Sequence, residues 1–141
     1  MQNNTIIRKA NTKDIDKLIL IVQGVTSIED YPGEFNRNYF KNMLKKNKVL
    51  VVEINRIIAG FIEFEWDREA KRVFLHSVAV SKNYRNKGIG SKLLYYIESF
   101  ARKHKAIRIS MLTRTWNTPI NILAKRKVLQ SLILFMGGRD C

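Results

Sequence analysis

The segment Tyr84-Arg85-Asn86-Lys87-Gly88-Ile89-Gly90 constrains this chain more than any other. It joins an apolar run, residues 73–80, to an amphipathic run that starts at Ile89 and continues to about His104. A strand that passes into a helix across two glycines needs a tight turn, and glycine adopts backbone conformations that other residues avoid. The first N–H groups of the helix have no intrahelical acceptor and sit at the positive end of its dipole. Such a turn suits an anion. Arg85 and Lys87 beside it suit a polyanion such as a pyrophosphate, held mostly by main chain.

Two familiar phosphate loops do not match these letters. A Walker loop needs Gly, four spacers and Gly-Lys-Ser/Thr, whereas Gly90 is followed by Ser91-Lys92 with no upstream Gly in place. The dinucleotide fingerprint Gly-x-Gly-x-x-Gly starts correctly at Gly88 and Gly90 but meets Leu93 at the third glycine, and no second βαβ half follows.

Elsewhere the pattern alternates between strand and helix. Residues 5–8 are a short apolar segment, and Asn11-Thr12 precede Ile15, Leu18, Ile19 and Val22 at helical spacing, as in a capped amphipathic helix. Pro32-Gly33 marks a turn before Phe35, Tyr39, Phe40, Met43 and Leu44 resume a helical rhythm. Residues 49–54 and 57–66 read as a hairpin turning at Asn55-Arg56. In its second strand Ile62, Phe64 and Trp66 alternate with Glu63 and Glu65, which puts both carboxylates on one face. In the strand before the glycine turn, the same alternation places Phe74, His76, Val78 and Val80 on one face, with Leu75, Ser77 and Ala79 on the other. The helix after the turn packs Ile89, Leu93, Tyr96 or Ile97, and Phe100 inward, leaving Lys92, Glu98 and Arg102 on its polar side. Residues 107–112 form the next strand, Thr115 to Asn117 ahead of Pro119 open a helix running to about Lys127, and residues 129–136 form a last strand.

At 141 residues the chain is sized for one domain without disulfides or metals. Its apolar runs reach about five residues, against the ~20 that span a bilayer. The polar start, Met1-Gln2-Asn3-Asn4, lacks the features of a signal peptide, and the one cysteine, Cys141, forms no intrachain disulfide, so a cytoplasmic protein is expected. Twenty-six Lys and Arg against 12 Asp and Glu give a formal charge of +14. That field attracts anionic ligands, and it is equally compatible with nucleic acid or a ribosomal surface. The basic clusters at residues 45–48, 102–105 and 125–127 each fall near an expected helix end, where cations complement the dipole and stay solvated. No basic and aromatic stripe of the RNA-binding type is visible along the sequence.

What remains is Arg-x-x-Gly-x-Gly after a strand reading Leu75-His76-Ser77-Val78-Ala79-Val80. With this loop in this order of elements, and Trp116-Asn117-Thr118-Pro119 opening a further helix, the chain resembles the GNAT superfamily of acyl-CoA-dependent N-acetyltransferases over most of residues 5–127. The resemblance implies an α+β fold over residues 1–141, with a mixed, mostly antiparallel sheet of about six to seven strands flanked by about four helices. It implies transfer of an acetyl group from acetyl-CoA to a primary amine by direct attack in a ternary complex, without a metal. The acceptor is then a small-molecule amine, a protein N-terminus or a lysine.

By the same resemblance the backbone of Val78, Ala79 and Val80 pairs with the pantetheine arm, and a backbone N–H there helps hold the oxyanion. Arg85, Asn86, Lys87, Gly88, Ile89, Gly90 and Ser91 would cradle the pyrophosphate. Asn117 either contacts the cofactor or caps its helix. The loop residues Glu29, Asp30, Tyr31 and Glu34 fall where family members shape the acceptor site, or are simply solvated. The family's usual Glu on the motif strand is replaced by Phe74. His76, with an ordinary pKa of about 6.5, is then the candidate base, or else a satisfied core histidine, and Glu63 and Glu65 are the alternatives. The Tyr that often protonates the leaving thiolate is Ala124, and the usual Gly-Phe pair is Val128-Leu129. These departures leave a second reading open, a non-catalytic module that binds acyl-CoA or acidic partners. They also admit a homodimer in which a partner strand completes the C-terminal part of the sheet.

Overall fold

A computed structural model of the chain describes residues 4–25, 36–111 and 133–135. Six strands follow one another across a single sheet in chain order: β1 (Thr5–Lys9), β2 (Lys48–Ile54), β3 (Ile57–Asp67), β4 (Arg72–Val80), β5 (Arg108–Met111) and β6 (Ile133–Phe135). The first three junctions are antiparallel, and β4–β5 and β5–β6 are parallel. This is the mixed, mostly antiparallel sheet expected. The helices described are α1 (Ile15–Val25), α2 (Arg37–Lys46) and α3 (Ile89–Lys103), with short 3-10 turns at Thr12–Asp14 and Lys82–Tyr84. The expected fourth helix, the loop acids at 29–34, Asn117, Ala124 and Cys141 lie outside the described residues. Among the described residues no helix is long and apolar enough to cross a membrane.

Local chemistry explains the junctions. The β2–β3 hairpin turns on Asn55 and Arg56, both left-handed at φ 51° and 71°, the twist that a two-residue hairpin favours. Before α1, the Asn11 side chain accepts from Lys13 N at 2.9 Å while Asp14 accepts from Asn11 N at 2.8 Å, a reciprocal cap. Arg8 on β1 donates to both Asp14 oxygens at 2.9 Å and also pairs with Glu53 on β2, which fastens the start of α1 to the sheet. The Arg8 guanidinium holds the Asp14 carboxyl below the usual carboxylate range, against the opposing effect of burial.

Because this folded-state pKa is depressed, the stabilisation is complete above the unfolded value of about 3.9 and is lost as pH falls through it toward the folded value. Asp14→Ala is expected to lower stability by about 2–3 kcal/mol at neutral pH. It should also flatten the acid limb of a stability-against-pH curve. Denaturant unfolding across that range measures both effects.

The sheet buries both faces. On one side Leu93, Leu94, Ile97 and Ala101 of α3 pack against Val52, Ile62, Phe64, Val73, Leu75, Val78 and Ile109. Leu93 and Ile97 are fully buried, each worth roughly 1.5–3 kcal/mol in transfer from water. On the other side Ile15, Leu18 and Ile21 of α1 and Phe40 and Met43 of α2 cover Val49, Val51, Phe61 and Ala79. The α3 stripe is wider than its periodicity suggested, and Glu98 belongs to it. Expected on the polar side, Glu98 is only 3% exposed, and its Oε1 accepts from Arg102 Nη2 at 2.8 Å.

The expected faces of β4 also need correction. Val73 and Leu75 face α3 as alternation from the strand start requires, but Val78 faces α3 as well, and Ala79 faces α1 and α2. The register explains the slip: Glu63 pairs with Ser77 and Phe64 with Leu75, so His76 is an extra residue on β4. A bulge of this kind breaks a two-residue period.

Near the end of β4, Gly60 on β3 is required by close approach. A Cβ there would stand 2.8 Å from the Ala79 carbonyl oxygen and 3.5 Å from Ile89 Cγ2. Gly60→Ala should therefore cost about 1–3 kcal/mol in thermal or chemical unfolding, by pushing β4 from β3 where Ile89 locks the turn.

Candidate functional site

The end of β4 presents its main chain to one side. Ser81 N donates to Ala59 O on β3 at 2.7 Å, so by strand alternation the polar backbone groups of Val80 point the other way. Pairing of β4 with β5 is described for Arg72–Leu75, and among the described residues Val78, Ala79 and Val80 pair only with β3. The parallel neighbour thus accompanies the first half of β4 and leaves the second half, among these residues, with one open edge.

Beyond Val80 the chain makes a 3-10 turn in which Tyr84 N donates to Ser81 O at 2.9 Å, and then enters the glycine bend. Asn86 and Gly88 are left-handed at φ 61° and 80°, and Gly88 is the N-cap of α3. The first helical bond of α3 runs from Lys92 N to Gly88 O at 3.0 Å. Among the described residues nothing accepts from the N–H groups of Arg85, Asn86, Lys87, Gly88, Ile89, Gly90 or Ser91. Ile89 and Gly90 are buried, so the donors are anchored from beneath.

The charges carried by this stretch of chain have one sign. No Asp or Glu lies between Glu69 and Glu98 in sequence, whereas Lys82, Arg85, Lys87 and Lys92 all fall there. Lys87 Nζ sits 5.8 Å from the centre of the Tyr84 ring, which holds it beside the bend. Arg85 is engaged differently from the expectation of a free anion ligand. Its Nη2 donates to Gly24 O at 2.9 Å and its Nε to Val80 O at 3.4 Å. The guanidinium thereby satisfies a carbonyl in the last turn of α1 and ties that helix end to the end of β4.

The bulge assembles the other half of the site. His76 and Ser77 both turn to the face that carries Glu63 and Glu65. His76 Nε2 pairs with Glu65 Oε1, and the His76 ring lies 4.7 Å from that of Phe74. Glu63 is 4% exposed and fully engaged, accepting from Asn47 Nδ2 at 2.6 Å and from Ser77 Oγ at 3.2 Å. The side chains of His76 and Glu65 are accessible, at 31% and 52%. Two candidate bases are therefore joined as one partly exposed pair, and the third is a buried carboxylate in a hydrogen-bonded set. His76 lies four residues from Val80, about 13 Å along the strand.

Asn47 and Ser77 did not stand out in the sequence. Asn47 sits within a lysine cluster, and its bond to Glu63 spans 16 residues, so no local pattern announces it. Ser77 was assigned to the opposite face until the bulge is known. Among the described residues no group of His, Cys, Asp and Glu is placed to hold a metal ion.

Comparison with solved structures places this architecture. The PaiA N-acetyltransferase of Thermoplasma acidophilum, in complex with coenzyme A, superposes with a TM-score of 0.71 at 19% identity, covering 86% of this chain and 87% of that one. An aminoglycoside N-acetyltransferase, AAC(6')-Iy, in complex with CoA, gives 0.67 at 15% identity over 89% and 87%. The ribosomal-protein-S18-alanine N-acetyltransferase of Escherichia coli gives 0.70 at 16% identity over 86% and 75%. At these identities the likeness is one of fold. No curated protein matches the sequence. The sequence itself, however, matches the family model described as Acetyltransferase (GNAT) family over residues 15–126, which spans the helices, the bulged strand and the glycine bend. The chain belongs to the GNAT family of acetyltransferases.

Proposed function

We propose that this protein transfers the acetyl group of acetyl-CoA to a primary amine by direct attack, with the glycine bend gripping the pyrophosphate and the His76–Glu65 pair accepting the amine proton. The observation that carries this reading is the run of amides at residues 85–91, unpartnered among the described residues, at the start of α3 and next to the edge of β4 that those residues leave open. A diphosphate is matched by fixed N–H donors, the helix dipole and a basic surround, all present before binding. Relatives of the same fold are in complex with coenzyme A.

Along β4 the outward backbone groups of Val78 and Val80 would pair with the pantetheine amides, while Ala79 between them is turned to β3, leading the thioester toward the bulge. There a carbon–nitrogen bond forms as the amine attacks the carbonyl, and the carbon–sulfur bond breaks. The amine proton passes to His76, and the thiolate leaves and is protonated from solvent, since CoA thiolate is a fair leaving group. Glu65 pairs with His76 Nε2 and holds the ring in place. An outward backbone N–H at Val78 or Val80 suits the carbonyl oxygen as it gains charge.

The test is thiol release from acetyl-CoA with a panel of small amines, N-terminal peptides and lysine peptides, read together with the acceptor's gain of one acetyl mass. Turnover with any acceptor supports the transferase. Thermal stabilisation by CoA with no turnover across the panel would instead favour the binding module, for which Phe74 at the family's base position argues.

A further inference from the structure

At the opposite end of the sheet from the glycine bend, β3 outruns its neighbour. Pairing with β2 starts at Lys48 opposite Phe64, while β3 continues to Asp67 against β4 alone. The step between them opens a cavity of about 460 Å³, bounded by the end of α2, the start of β2, the end of β1 and the middle of α3. That volume falls in the range of small-ligand sites.

Its lining has a definite chemistry. Lys9, Lys45, Lys46 and Lys48 line it from three elements, against a single carboxylate, Glu65, which is already paired with His76. None of the four lysines has a carboxylate partner among the described residues. Apart from Asn47 the remaining wall is apolar, with aliphatic side chains beside the rings of Trp66, Tyr96 and Phe100. These rings are held in place: Trp66 meets Phe100 edge-on at 5.9 Å, and Phe100 stacks on His104 at 3.9 Å. Lys48 Nζ stands 5.9 Å from the Phe100 ring centre, so charge and ring face are adjacent. The sequence showed no basic and aromatic stripe because the residues come from positions 9, 45–48, 66 and 96–100 and meet only in the fold.

We propose that this cavity is a second ligand site, separate from the glycine bend, for a nucleoside phosphate unit. The lysines take the phosphate as point charges, and the base lies against Tyr96 and Trp66. Tyr96 is 37% exposed, so one ring is offered for stacking without prior rearrangement. A free nucleotide and one residue of a single-stranded RNA carry the same chemistry, and the surplus of 26 basic over 12 acidic residues would draw in either.

The experiment is a titration of the full chain with AMP and, separately, with hexauridylate, each with coenzyme A saturating and again without it. Saturating coenzyme A keeps its own adenosine phosphate from being mistaken for the ligand, and the second arm reads the cavity even if the glycine bend binds nothing. Binding of AMP or hexauridylate is expected under both conditions. It should weaken by about tenfold in Tyr96→Ala and in Lys45→Gln/Lys48→Gln, with melting temperature and coenzyme A affinity near wild type, and fall with added salt. Hexauridylate tighter than AMP identifies a single strand as the source, and equal affinities identify a free nucleotide. The proposal is overturned if neither probe binds at millimolar concentration, if folded cavity variants bind like wild type, or if Gly88→Val alone abolishes the binding.

Discussion

Gly88→Val is expected to weaken coenzyme A binding by about 100-fold or more, roughly 2.7 kcal/mol, while leaving a folded protein. Gly88 caps α3 at φ 80°, and a Cβ there would meet no atom within 4 Å, so crowding is not the obstacle. The obstacle is conformational: left-handed backbone costs an L residue about 1–2 kcal/mol, and a β-branched one resists it most. The bend would relax toward right-handed geometry and turn the amides of Ile89, Gly90 and Ser91 from their shared direction. Each hydrogen bond to a charged group lost in this way is worth about 1.5–3 kcal/mol. Gly88→Ala should show a smaller loss in the same direction. Calorimetric titration of both variants, with melting curves as a check on folding, measures the effect.

His76→Ala is expected to reduce kcat by about 10²–10⁴-fold, the usual span for removal of a general base, with little change in the KM for acetyl-CoA. The base and the pyrophosphate bend occupy different parts of β4 and its exit, so chemistry should fall without loss of donor binding. Glu65→Gln removes the carboxylate that pairs with His76 Nε2 but leaves the ring. Its activity should fall less, by about tenfold, because the ring stays in place but loses the carboxylate that orients it. Glu63→Gln, assayed in parallel, distinguishes the two carboxylates. Glu63 is buried and bonded to Asn47 and Ser77, so its loss should appear mainly as reduced stability. If His76→Ala retains wild-type kcat, the base lies elsewhere.

Much of this arrangement was legible before any coordinates. Local rules were enough where a signal is short-range: Asn55-Arg56 for the hairpin, Asn11 for the α1 cap, and Gly88 and Gly90 for the bend into α3. The faces of β4 were misread because a bulge at His76 is set by pairing with β3, 11 to 14 residues away, and leaves no mark in the alternation of the strand itself. Glu98 was misread for a related reason. A charged residue at that spacing looks solvent-facing, yet its i+4 neighbour Arg102 reaches over it and allows burial. Arg85 shows the same limit at the bend, since its basic charge suggested a ligand contact and only the packing of α1 reveals Gly24 O as its partner. Long-range pairing fixed what composition and period could not.

The account depends on the main-chain amides at residues 85–91 receiving the diphosphate of coenzyme A. An amide-resolved NMR titration with coenzyme A examines them one by one. The largest shifts should fall on Lys87, Gly88, Ile89, Gly90 and Ser91, with smaller ones along Val78, Ala79 and Val80. If those resonances stay still at saturating coenzyme A while others move, the bend does not hold the cofactor and the proposed function fails.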